Sequence, residues 1–121
     1  MARVLVADDA SFMRQMIREI VEAEGHEVVG EASDGDEAVE EFKRLHPDVV
    51  TMDIVMPRRS GIDAVKGIME LDAGAKVVMC SALGQESLVQ EALAAGALDF
   101  IVKPFKPDAV LTTIAKVVEK E

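Results

Sequence analysis

Five times along the chain, a short run of β-branched and aliphatic residues gives way to a longer segment whose apolar positions recur every three or four residues. Val4-Leu5-Val6-Ala7 is continuously apolar and is stopped by Asp8-Asp9, which predicts a strand buried on both faces. Phe12, Met13, Met16, Ile17, Ile20 and Val21 follow at the spacing of one helix face, and Gly25 ends that helix. A second strand is expected around Glu27–Glu31. Asp34-Gly35 then turns the chain into a helix with Ala38, Val39, Phe42 and Leu45 inward. Val49-Val50-Thr51-Met52 is the third strand and runs directly into Asp53. Beyond Met56-Pro57 a helix turns Ile62, Val65, Ile68 and Met69 to the core. Lys76–Cys80 is the fourth strand, ending at Ser81. The next helix buries Leu88, Val89, Ala92 and Leu93 and stops at Gly96. Phe100-Ile101-Val102 is the fifth strand, Lys103-Pro104 follows it, and a last helix carries Leu111, Ile114, Val117 and Val118.

Strands separated by crossover helices form a parallel sheet with helices on both faces, an α/β fold. Pattern alone does not give the strand order. Of the two common open arrangements, five units favour the flavodoxin-like order 2-1-3-4-5 over the dinucleotide-binding one. Neither a linker nor a low-complexity stretch interrupts the 121 residues, so a single domain over 1–121 is expected, with no output domain after the fifth helix.

Parallel strands point their carboxyl ends to one edge of the sheet, where ligand crevices open. Standing just past those ends are Asp8 and Asp9, Asp53, Ser81 and Lys103, so four of the five strands deliver a reactive or charged side chain to the same place. Alone, each has an ordinary explanation: Asp-Asp after a strand is usually a turn or a helix cap, and Lys-Pro is usually a loop. Their joint placement argues otherwise. Three crowded carboxylates resist ionising together, so either one keeps its proton or a hard cation takes the space. Mg²⁺ suits one or two carboxylates plus phosphoryl and water oxygens. An ionised Asp53 beside it is a competent nucleophile toward phosphorus, and Lys103 and Ser81 can meet the transferred oxygens.

Charge and composition narrow the alternatives. Thirteen basic against 23 acidic side chains leave a net charge of −10, which argues against nucleic acid or an anionic membrane surface as partner. No apolar run is long enough to span a bilayer and the N-terminus does not read as a signal peptide, so a cytoplasmic location is expected. The single Cys80 cannot make an internal disulfide and is expected to be a buried, inert thiol. His26 and His46 precede the second and third strands, at the opposite edge, and are expected to be solvated turn residues. There is no GxGxxG, GxxxxGK[ST], GxSxG, HExxH or CxxC. A Mg²⁺-dependent aspartate-nucleophile phosphatase would want Asp-x-Asp, and neither Asp8-Asp9-Ala10 nor Asp53-Ile54-Val55 fits that spacing.

Asp8-Asp9, Asp53-Ile54-Val55-Met56-Pro57 with Gly61, Ser81-Ala82, Ala95-Gly96-Ala97 and Lys103-Pro104, in this order, make the whole chain resemble a response-regulator receiver domain. The resemblance implies a (βα)5 three-layer sandwich of order 2-1-3-4-5 and phosphorylation of Asp53 by a histidine kinase. It also implies Mg²⁺ held by Asp9, Asp53 and the backbone carbonyl of Val55, with Asp8 acting through a water. Ser81 and Lys103 would contact the phosphoryl group, the Lys103-Pro104 bond would be cis, and Ser81 and Phe100 would form the switch. Phe100 lacks the hydroxyl of the tyrosine often found there, so no hydrogen bond from its ring takes part. Such a protein is a phosphoacceptor that assists its own phosphoryl transfer and hydrolysis rather than an enzyme with a separate substrate.

The wording of Asp9–Arg14, Thr51-Met52-Asp53, Cys80–Gln85 and Asp99–Phe105 is similar to the chemotaxis branch of that family, of the kind found in archaea and deep-branching bacteria. That similarity implies a stand-alone monomer controlling motility. Its partners would be a chemotaxis-type histidine kinase and a motor switch or adaptor protein, the latter bound on the fourth helix, fifth strand and fifth helix. The alternatives are a receiver cut from a larger regulator, or a phosphorelay intermediate. Two apolar residues, Val55 and Leu83, stand two past Asp53 and two past Ser81; if both overhang the phosphoryl group, neither can orient a water, and slow dephosphorylation is expected.

Overall fold

A computed structural model describes residues 1–119; positions 120 and 121 of the expected domain lie outside the described residues. The elements alternate as the patterning predicts: β1 (Arg3–Ala7), α1 (Ser11–Ala23), β2 (Glu27–Ala32), α2 (Gly35–Leu45), β3 (Val49–Asp53), α3 (Gly61–Leu71), β4 (Val77–Ser81), α4 (Glu86–Ala95), β5 (Asp99–Val102) and α5 (Pro107–Val118). All strand pairs are parallel and the sheet order is β2-β1-β3-β4-β5, the flavodoxin-like arrangement.

The period of two along each central strand divides the interior into two cores. Leu5, Ala7, Val50, Met52, Val77 and Met79 face α2, α3 and α4. Val4, Val6, Val49, Val78, Cys80 and Ile101 face α1 and α5, where Ile17, Val21, Val110, Ile114 and Val117 complete the layer. Both faces of β3 and β4 are covered, so every residue in them is buried, Asp53 and Ser81 included. Asp8 and Asp53 extend the alternation of Val4, Val6 and of Val49, Thr51. They therefore emerge on the α1/α5 side of the sheet, above a layer of aliphatic side chains.

Helix signals account for most boundaries. Asp34 caps α2, its carboxylate accepting the Glu37 N–H at 2.8 Å. Gly96 closes α4 at φ 128°, a conformation costly for any residue with a Cβ. Two expectations for α1 are corrected. Phe12 is 64% exposed and Met16 38% exposed, although both belong to the apolar stripe read from the sequence. The stripe spans six positions, wider than the contact that the sheet and α5 offer. The face that packs runs through Met13, Ile17, Ile20 and Val21, and Phe12 and Met16 lie about 100° round the helix from it. His26 is also corrected: it is half-buried, its Nδ1 accepting the Ala2 N–H at 3.0 Å. His46 ends α2 in the left-handed region at φ 47°, as an exposed turn residue.

Candidate functional site

The site assembles where β1, β3, β4 and β5 run out at one edge. Asp8, the residue after β1, is buried, and its neighbour Asp9 is exposed. Asp53 is the last residue of β3, between the ends of β1 and β4. One carboxylate oxygen from each of Asp8, Asp9 and Asp53 lies within 4.8 Å of the other two. Lys103 follows β5, and its main-chain N–H donates to the Ser81 carbonyl at 2.7 Å, fixing the lysine beside the end of β4. From there its ammonium donates to Asp8 Oδ2 at 3.0 Å and lies 3.3 Å from Asp53 Oδ1. The Lys103-Pro104 bond is cis.

Asp8 has both oxygens engaged by protein donors, Oδ2 by Lys103 and Oδ1 by the Ala10 N–H at 2.9 Å. The solvent-facing side of the cluster is formed by Asp9.

The electrostatics follow from this crowding. Burial first, then the negative charge of Asp8, raise the Asp53 pKa from 3.8 to about 6; Lys103 opposes the shift and Asp9 adds to it. For Lys103, burial works against the ammonium, but the hydrogen bond to Asp8 and the charges of Asp53 and Asp8 outweigh it, so its pKa ends above the ordinary 10.5. Cys80, opposite Asp53 in the β3–β4 register, is held as a thiol by burial. Its burial is as the sequence suggested.

An acidic pocket built wholly of carboxylate oxygens, with one ligand facing solvent, suits a hard divalent cation that keeps several of its waters. Asp53's reluctance to ionise is the charge imbalance that such a cation would relieve. The donor set therefore fits Mg²⁺ and offers neither the nitrogen nor the sulfur ligands of a zinc site.

The loop from β3 to α3 is tightly built. Ile54 and Met56 are buried, and the Gly61 N–H donates to the Ile54 carbonyl at 2.8 Å. A Cβ on Gly61 would lie 1.9 Å from the Asp53 carbonyl oxygen, so only glycine lets α3 start this close to the site. Val55, in the same loop, is 57% exposed, and Leu83 in the β4–α4 loop is 87% exposed. Phe100 is 40% exposed rather than core; with Ser81, Leu83, Val89 and Val102 it lines a cavity of about 140 Å³ between β4, β5 and α4.

Three polar residues around the site were not singled out from the sequence. Arg14 of α1 donates to the Asp8 carbonyl at 2.7 Å. Arg58, at φ 66° in the β3–α3 loop, pairs with the buried Asp34 at 2.9 Å. Gln85 accepts the Ala82 N–H at 2.7 Å. None of the three carried a readable signal, since each depends on contacts between separate segments; of their partners, Asp34 did, through the Asp-Gly that starts α2.

Comparison with known proteins agrees with this geometry. Residues 4–115 match the response regulator receiver domain family. The chain is 56% identical over 115 residues to the chemotaxis protein CheY of Thermotoga maritima, covering 95% of this chain and 96% of that protein. It is 55% identical over 114 residues to the CheY of Bacillus subtilis, covering 94% and 95%. A chain in the crystal structure of the CheX–CheY–BeF3–Mg²⁺ complex from Borrelia burgdorferi superposes with a TM-score of 0.92 at 42% identity, over 98% of this chain and 90% of that one. With the parallel 2-1-3-4-5 sheet and an aspartate cluster at its carboxyl edge, the chain belongs to the response-regulator receiver domain family.

Proposed function

We propose that this protein is a stand-alone response regulator of chemotaxis, phosphorylated on Asp53 by a histidine kinase in a Mg²⁺-dependent reaction. The observation that carries the reading is the convergence of Asp8, Asp9 and Asp53 with the Lys103 ammonium at the edge where β3 ends. Relatives named chemotaxis protein CheY that align over nearly their whole length support the stand-alone chemotaxis role, and the Mg²⁺ and BeF3 of the B. burgdorferi complex support the cofactor.

In this reading Asp9, Asp53 and the Val55 carbonyl would hold Mg²⁺, and Asp8, whose oxygens are already taken by Lys103 and Ala10, would act through a water. Such a cation would supply neutralising charge for the phosphoryl oxygens and favour the ionised form of Asp53. Asp53 forms the oxygen–phosphorus bond while the bond from phosphorus to the kinase's histidine nitrogen breaks. The electron pair leaves with that nitrogen, which takes up a proton. Lys103 then moves its partnership from the carboxylates toward the new negative oxygens, and Ser81 donates its hydroxyl to them.

Ser81 and Phe100 line the same cavity, so drawing Ser81 toward the phosphoryl group would favour the arrangement with Phe100 packed inward. The α4–β5–α5 face would bind its partner, a motor switch or adaptor protein, differently in the two states. The protein is a cytoplasmic signalling monomer in this account, its receiver domain matched over residues 4–115. None of the helices among the described residues is long and apolar enough to cross a membrane.

Incubation with a small acyl phosphate, with and without Mg²⁺, followed by intact mass, tests the reading. One PO₃ unit should be gained only with Mg²⁺, and Asp53→Ala should gain none; gain by that variant would overturn the assignment.

A further inference from the structure

The end of β2 contributes no ligand to the acidic pocket, yet it holds the loop that carries two of the three aspartates. We propose that Arg14, braced by Glu31, is a positioning residue that sets the divalent-cation affinity of the site by fixing the Asp8–Asp9 loop. The proposal rests on reading Asp8, Asp9 and Asp53 as that cation site.

The main-chain N–H of Asp8 is tied directly to the end of β2, and its carbonyl is tied there through Arg14. Its N–H donates to the Ala32 carbonyl at 2.9 Å, and its carbonyl accepts from Arg14 Nη1 at 2.7 Å. Arg14 is in turn held by Glu31, through Nε to Oε1 at 2.8 Å, and Arg18 occupies the other oxygen of Glu31 at 2.6 Å. The bracing is partly sheltered, with the Arg14 side chain 18% exposed. The loop needs such a tie because α1 starts without a capping side chain: its N-cap is Ala10, which offers no oxygen to the first turn. The planar guanidinium can serve the carbonyl and the carboxylate at once, which a single ammonium cannot do with the same geometry. Groups that orient a metal's ligands commonly change its affinity by about 10- to 100-fold.

Charge and position make opposite predictions, which renders the idea testable. Arg14 is a cation near a cation site, so if it acted only through charge, its removal would strengthen Mg²⁺ binding. If it positions the loop, its removal weakens binding. Mg²⁺ titration by calorimetry decides, since the chain has no tryptophan or tyrosine for a fluorescence readout. Arg14→Met should bind Mg²⁺ about tenfold more weakly than the unaltered protein. Arg14→Lys should fall between them, and Arg44→Met, which breaks a surface pair with Glu41 on α2, should match the unaltered protein. Equal or tighter binding by Arg14→Met overturns the proposal. Should thermal melting show Arg14→Met unfolded, Arg14→Lys decides in its place, and affinity equal to the unaltered protein overturns it. Absence of Mg²⁺ binding in the unaltered protein would instead bring down the cation-site reading, and this proposal with it.

Discussion

The ammonium of Lys103 donates to Asp8 at 3.0 Å across a separation of 95 residues, joining the end of β5 to the end of β1 over the tops of β4 and β3. The same ammonium lies 3.3 Å from Asp53, so one cation serves two acids that otherwise repel each other.

That sharing predicts a split in the behaviour of Lys103→Met. Phosphoryl uptake from an acyl phosphate should slow by about a hundredfold, because a donor aimed at the transferred oxygens is gone. Mg²⁺ affinity should rise at the same time, because the acids lose their resident cation. A time course of intact mass and a calorimetric titration check the two halves. Uptake at the unaltered rate would contradict the role of Lys103.

Asp53 makes stability depend on pH when no metal is bound. Its folded pKa of about 6 stands above the ordinary 3.8, so between these values the folded state holds a proton that the unfolded chain has lost. The contribution is fully present below pH 3.8 and is lost as pH rises through about 6. In a chelator, urea unfolding should therefore show Asp53→Asn more stable than the unaltered protein at pH 7, by ~2 kcal/mol, with the gap closing toward pH 4. A gap that stays constant with pH would rule this out.

Gly61→Ala should cost about 2–3 kcal/mol, since its methyl group meets the Asp53 carbonyl oxygen and backbone cannot swing aside as a flexible side chain can. At Gly84 nothing lies within 4 Å, and only the positive φ of 87° opposes a side chain, so Gly84→Ala should cost about 1 kcal/mol. Denaturant midpoints of the two variants should fall in that order.

The exposed, apolar Val55 and Leu83 give an attacking water nothing to bind, which predicts slow loss of the phosphoryl group. Val55→Asn with Leu83→Glu should speed it by on the order of tenfold, through a carboxylate and an amide able to orient water. Phosphate release followed at fixed Mg²⁺ is the measurement, and an unchanged rate would discount the overhang.

The linear sequence was sufficient for the element order, the doubly covered sheet and the gathering of Asp8, Asp9, Asp53, Ser81 and Lys103. A parallel sheet sends every strand's end to one edge, so a residue's place relative to its own strand also fixes its place in the molecule. Tertiary structure alone decided what depends on contacts between separate loops. The apolar stripe of α1 could not show that Phe12 and Met16 stay outside, because the width of the packed face is set by the sheet and α5 rather than by the helix. Arg14, Glu31 and Arg58 read as ordinary surface charges until the ends of β1, β2 and β3 are placed side by side. Periodicity is written into each segment by itself, whereas a salt bridge between segments exists only after both have been positioned.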